Sequence, residues 1–139
     1  MSEEIILDYI TDAAGRFYAE AGIEYPSNAK EYYRDVLANP LVFSKVIVGK
    51  GFLVAMAAPS FLHPGKLQAQ ELAWYVEPEF RGTSTAIKLM KMYEAEALER
   101  GCTEISMVCL EAINPETTGK IYEKLGYNKY ETHYIKETK

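Results

Sequence analysis

Between residues 67 and 100 the chain switches from strand to helix through a short polar loop. That switch constrains the fold more than any other feature. Leu67 to Val76 reads as a strand. Pro78 ends it, because a proline donates no N–H to a ladder. Arg81-Gly-Thr-Ser-Thr-Ala86 is then a small polar loop opening directly into a helix, Ser84 to Arg100, which Gly101 closes. Such a loop leaves several backbone N–H groups without intrahelical partners, aimed at one spot where the helix dipole favours negative charge. The pattern predicts a phosphate-binding turn beside a strand end that can carry chemistry. The plainer alternative is an ordinary strand-to-helix turn.

The rest of the chain supplies the layers around this unit. Ser2 with Glu3 and Glu4 reads as a helix start, and Ile5, Ile6, Tyr9, Ile10, Ala13, Phe17 and Ala21 recur at helical spacing. Gly22 stops that helix. Ser27 or Asn28 caps a second one, whose apolar positions are Tyr32, Tyr33, Val36 and Leu37. Val42–Val48 and Gly51–Ala57 are β-rich runs around Gly49-Lys-Gly51, a hairpin signal. Glu104 to Leu110 reads as a strand, Pro115 to Leu125 as a helix, and Tyr127 to Ile135 as a final extended segment. The order α-α-β-β-β-α-β-α-β predicts an α/β (α+β) fold in one domain, residues 1–139. Its central sheet is mixed but mostly antiparallel, with helices on both faces.

Composition narrows the function classes. The net charge is −5 and no Lys/Arg run stands out, which argues against nucleic acid and suits an amine-bearing or cationic partner. The two cysteines, Cys102 and Cys109, lack metal-ligand and C-x-x-C spacing. Cys109 lies in an apolar strand-like run and reads as a small core residue. A reduced compartment fits. With no leader-like N-terminus and no apolar run long enough for a bilayer, the expectation is a cytoplasmic protein without a membrane or metal partner.

Two segments resemble the GNAT superfamily of N-acetyltransferases. Arg81-Gly-Thr-Ser-Thr-Ala86 resembles its acetyl-CoA motif, Q/R-x-x-G-x-G/A, and Ile121-Tyr-Glu-Lys-Leu-Gly-Tyr127 resembles its Y-E-K-L-G-F/Y segment. Together they span the C-terminal half in the family's order. Ser84 stands where the family usually has glycine, and Asn114 sits one residue further from Tyr122 than the usual asparagine. The resemblance implies a single GNAT-like domain that uses acetyl-CoA. Backbone N–H groups of Gly82, Thr83, Ser84, Thr85 and Ala86 would hold the diphosphate, with Arg81 shaping the loop or adding charge. It also implies that neighbouring strands splay near Trp74, Tyr75 and Val76, where backbone groups would pair with the pantetheine arm. An N–H near Trp74 would polarise the thioester, and Asn114 is carried over to the coenzyme side.

Acetyl transfer to a primary amine needs a neutral nucleophile, a stabilised oxyanion and a protonated leaving thiolate. Glu71 is the candidate base, on a strand face shared with Ala73 and Tyr75. Tyr122 is the candidate acid, since a phenol is protonated at neutral pH. The plainer readings are a solvated Glu71 and a core Tyr122. Tyr75 is read as facing either a pocket or the core, and His63 as a surface residue that could line the acceptor site. Glu20, Glu24 and Glu31 are either solvated or attractive to a cationic acceptor. The rival functions are a non-catalytic acyl-CoA-binding module and a protein-interaction domain. The acceptor, a small molecule or a protein, and a homodimer paired through a C-terminal edge strand both stay open.

Overall fold

A computed structural model describes residues 1–109 and 114–138, in two compact units, Met1–Val108 and Cys109–Lys139. In the first unit, α1 (Glu3–Ala21) begins where the Ser2 hydroxyl accepts the Ile5 N–H at 3.2 Å, with Glu3 and Glu4 facing the positive helix end. Gly22 closes it in the left-handed conformation. Its buried stripe is Leu7, Tyr9, Ile10, Ala13 and Ala14; Ile5, expected inside, is exposed. Helix α2 (Ala29–Ala38) has Asn28 at its N-cap without a side-chain bond, and Tyr32 faces solvent.

The sheet runs β1-β2-β3-β4. Strands β1 (Val42–Ile47) and β2 (Gly51–Pro59) form the expected hairpin, and β3 (Leu67–Val76) pairs antiparallel with β2. Helix α3 (Thr85–Glu99) then returns the chain so that β4 (Glu104–Ser106) lies parallel to β3. The expected mixed, mostly antiparallel α/β architecture is therefore present, with helices on both faces. On one face Phe43, Leu53, Ala55, Ala57 and Ala69 pack with Tyr93 and Ala97 of α3 and with Cys102. On the other, Phe52, Val54 and Tyr75 pack with Tyr9, Ile10, Ala13 and Ala14 of α1, flanked by Tyr33 and Leu37 of α2. Side chains as enclosed as Leu53 and Leu89 each contribute about 2 kcal/mol.

Three expectations are corrected. Strand β4 ends at Ser106 rather than Leu110, because its ladder with β3 stops there. Leu110 itself lies outside the described residues. The core cysteine is Cys102, not Cys109, which is only half-buried and outside the strand. The expected extended segment, Tyr127 to Ile135, forms no strand: it has β propensity, but no ladder pairs with it among the described residues. Among its described residues the second unit holds α4 (Pro115–Lys124) and the turn after it, where Tyr127 N–H bonds Tyr122 O at 3.0 Å. Among the described residues no helix is long and apolar enough to cross a membrane.

Gly51 marks a close approach at the strand end that carries the loop. A Cβ there would lie 2.6 Å from Tyr75 O and 3.0 Å from a Leu89 methyl. Gly51→Ala must displace β3 backbone, so it is expected to destabilise the fold by about 1–3 kcal/mol in a urea titration. An unchanged midpoint would show that the β2–β3 contact yields easily.

Candidate active site

The site starts from a flaw in a strand. The β2–β3 register shifts between Val54 and Ala55, leaving Leu72 as the extra residue of a bulge in β3. On the other edge, pairing with β4 ends at Gln70–Ser106. Residues 71–76 thus keep β2 as ladder partner while β4 departs, and the opening begins at Glu71, earlier than the expected splay at Trp74–Val76. Tyr93, whose hydroxyl donates to Ser106 O at 2.8 Å, fixes the last paired residue of β4.

Glu71 occupies this fork. It is 8% exposed, and its carboxylate accepts the Val108 N–H at 3.3 Å. Among the described residues no cation pairs with it. Burial pushes its pKa up to about 7, with the Val108 bond pulling more weakly the other way. A carboxylate that titrates near neutrality suits proton abstraction and differs from the solvated strand residue weighed above. The bulge corrects one expectation. Glu71 sits opposite Ala55, on the α3 face, whereas Ala73 and Tyr75 pack toward α1. A bulge reverses the alternation that the simple strand reading assumed.

Past the bulge, Trp74 packs against the α3-side cluster. Tyr75 is a core residue, 5.7 Å from the Phe17 ring and 6.0 Å from Phe52, so it does not face a pocket. Val76 is buried, and its carbonyl accepts the Arg81 Nε–H at 2.9 Å. A single 3-10 turn, Pro78–Phe80, then redirects the chain.

The loop divides its amides. Arg81 N–H bonds Pro78 O, Thr83 N–H bonds Phe80 O, and Thr85 N–H bonds the Thr83 hydroxyl, all at 3.3 Å. Among the described residues, the N–H groups of Gly82, Ser84, Ala86 and Ile87 meet no acceptor. No acidic residue occupies the first turn of α3, so the positive helix end is uncompensated. Gly82, at φ +82°, takes the left-handed conformation that a glycine suits. Ser84, at φ −74°, needs no glycine. Its side chain makes no cap bond; the Thr83 hydroxyl accepts the Thr85 N–H instead.

Two connections that the sequence reading missed hold this turn to α1, the first largely buried and the second solvent-exposed. Glu77 accepts from Tyr9 Oη at 2.7 Å and from Arg16 Nε and Nη2 at 2.9 and 2.8 Å. The guanidinium of Arg16 keeps the Glu77 carboxyl below the usual carboxylate range. Arg81 in turn pairs with both oxygens of Glu20 at 2.7 and 2.5 Å. Nothing in the local sequence signals partners so far apart. His63 pairs with Glu104, at the closed end of the β3–β4 pair and away from the fork.

The first unit thus carries Glu71, Trp74, Tyr75 and Val76 on the C-terminal half of β3 and Arg81–Ala86 in the loop and helix start that follow, with Tyr75 turned into the core. Asn114 and Tyr122 belong to the second unit. Asn114 is the N-cap residue of α4, at φ 36° and without a side-chain cap bond. Tyr122 is buried on α4, its ring 5.9 Å from Tyr127.

The sequence profile of the Acetyltransferase (GNAT) family matches residues 7–127. No curated protein matches the chain. Several solved structures superpose well. Ribosomal-protein-alanine N-acetyltransferase from Brucella melitensis biovar Abortus gives a TM-score of 0.72 at 18% identity, over 94% of this chain and 92% of that one. A predicted acetyltransferase from Clostridium acetobutylicum, solved with acetyl-CoA, gives 0.69 at 19% identity, over 94% and 89%. An aminoglycoside acetyltransferase from an uncultured soil metagenomic sample, solved with sisomicin, gives 0.75 at 14% identity, over 96% and 90%. At such identities the likeness speaks for the fold, and the profile speaks for the family. A forked mixed sheet, an amide-rich loop at a helix start and a profile match over most of the chain lead to one conclusion: this protein belongs to the acetyltransferase (GNAT) family.

Proposed function

We propose that the chain, acting as one domain over residues 1–139, transfers an acetyl group from acetyl-CoA to a primary amine by direct attack in a ternary complex. The observation that carries this reading is a buried carboxylate at a strand fork, followed within the same strand–loop–helix unit by amides that meet no acceptor among the described residues.

Each residue has a part. The amides of Gly82, Ser84, Ala86 and Ile87, at the positive end of α3, hold the diphosphate. The β3 edge that β4 leaves takes the pantetheine arm as a further strand. Acetyl-CoA supplies the activated acyl group. A backbone N–H near Trp74 stabilises the developing oxyanion, worth about 3–4 kcal/mol of barrier for such donors. Glu71 removes the proton that keeps the amine cationic, directly or through water. As the C–N bond forms and the C–S bond breaks, Tyr122 gives its phenolic proton to the departing thiolate, and the proton that the attacking nitrogen then sheds passes through solvent to restore the phenol. Asn114 stays assigned to the coenzyme side, at the start of α4.

The amine acceptor is supported by chemistry shared among fold relatives. One is a ribosomal-protein-alanine N-acetyltransferase and another binds sisomicin. The test is thiol release from acetyl-CoA across a panel of aminoglycosides, polyamines, amino acids and peptides. Amine-dependent release with at least one acceptor is expected. Tight CoA binding with no turnover on any amine would replace the enzyme reading with a binding module. No thermal stabilisation by CoA at a hundredfold excess over a micromolar Kd, where about 2.7 kcal/mol is expected, would favour an interaction domain.

A further inference from the structure

The guanidinium of Arg81 is already committed on three sides. Its Nε donates to Val76 O at 2.9 Å, and Nη1 and Nη2 donate to the two Glu20 oxygens at 2.7 and 2.5 Å. Its plane lies over the Tyr75 ring, 5.4 Å from the centroid. A forked pair of this kind is directional and leaves little net charge for a third partner. Glu20 sits in the last turn of α1, which Gly22 closes without help from that carboxylate. At the start of the same turn, Glu77 is held by Tyr9 and Arg16, also from α1. Helix α1 therefore grips residues 77–81 at both ends, immediately before the amides of 82–87.

We infer that Glu20 is a positioning residue for coenzyme binding: it holds Arg81 as a tether across the turn, so that the diphosphate is met by main-chain amides rather than by the guanidinium. This rests on the acetyl-CoA reading above. The opposite arrangement makes Arg81 a phosphate ligand that Glu20 masks. The two differ in sign. Removing a mask frees a cation beside an anion site and tightens binding; removing a tether lets the loop wander and weakens it.

Calorimetric titration of CoA into native protein, Glu20→Gln, Glu20→Asp, Arg81→Gln and the Glu20→Gln/Arg81→Gln double variant reads that sign. Glu20→Gln is expected to weaken the Kd by about five- to tenfold, and the double variant to be no weaker than Arg81→Gln alone, as for two groups acting through one contact. Glu20→Asp keeps the charge but loses the reach of the fork, so it also weakens binding. In steady-state assays the loss appears in KM for acetyl-CoA rather than in kcat, with the native melting profile retained. Unchanged or tighter CoA binding in both Glu20 variants overturns the tether alone. Native protein that binds no CoA overturns the tether together with the coenzyme reading.

Discussion

Glu71→Gln should lower kcat/KM by about a hundredfold or more, the usual contribution of a positioned general base. The substitution preserves the oxygen that accepts the Val108 N–H, so the fork keeps its shape while losing its proton acceptor. The native enzyme should show activity rising with pH to a plateau above about 7, because only the ionised carboxylate can act. That limb should vanish from the residual activity of the variant. Stability should move the other way. Below pH 4.5 the Glu71 carboxyl is neutral in both states. Between 4.5 and about 7 the unfolded chain ionises while the folded chain keeps its proton, so stability falls as pH rises through that window. The rise in pKa corresponds to about 3 kcal/mol, constant above the window. Urea titrations should therefore find Glu71→Gln more stable than the native protein at pH 8, with the difference shrinking toward pH 5. A variant with near-native turnover at pH 8 would remove Glu71 from the chemistry.

Tyr122→Phe is the second large effect. It keeps the buried ring and its contact with Tyr127, and removes only the hydroxyl. If that hydroxyl protonates the departing thiolate, kcat should drop about a hundredfold. CoA affinity should change little, because the loss is confined to the transition state. A poorer leaving group should suffer more than a good one, so thioesters of more acidic thiols should partly rescue the variant. Equal turnover of Tyr122→Phe and native protein, with chemistry shown to limit the rate, would assign Tyr122 to packing alone.

Much of this arrangement was legible in the chain because it is written locally. Pro78, Gly82 and the polar run before Ile87 mark the strand end, the left-handed residue and the helix start within ten positions. The Gly49–Gly51 hairpin and the two layers of helix follow from equally short signals. The bulge at Leu72 was harder. Glu71 sits where alternation from Ala69 calls for an apolar side chain, and that conflict was itself the available sign. The pairs Glu20–Arg81 and Arg16–Glu77 join α1 to the loop across long sequence separations, so no local pattern encodes them. The C-terminal segment shows the converse: residues 128–138 have strand-forming side chains, yet a strand exists only with a partner ladder.

The claim on which the mechanism depends is that main-chain amides just beyond Arg81 grip the coenzyme diphosphate. Amide-resolved NMR during a CoA titration tests it directly. The N–H resonances of Gly82, Ser84, Ala86 and Ile87, which meet no acceptor among the described residues, should shift most and saturate together with the calorimetric Kd. Those four resonances staying in place while CoA binds and other amides move would contradict the account.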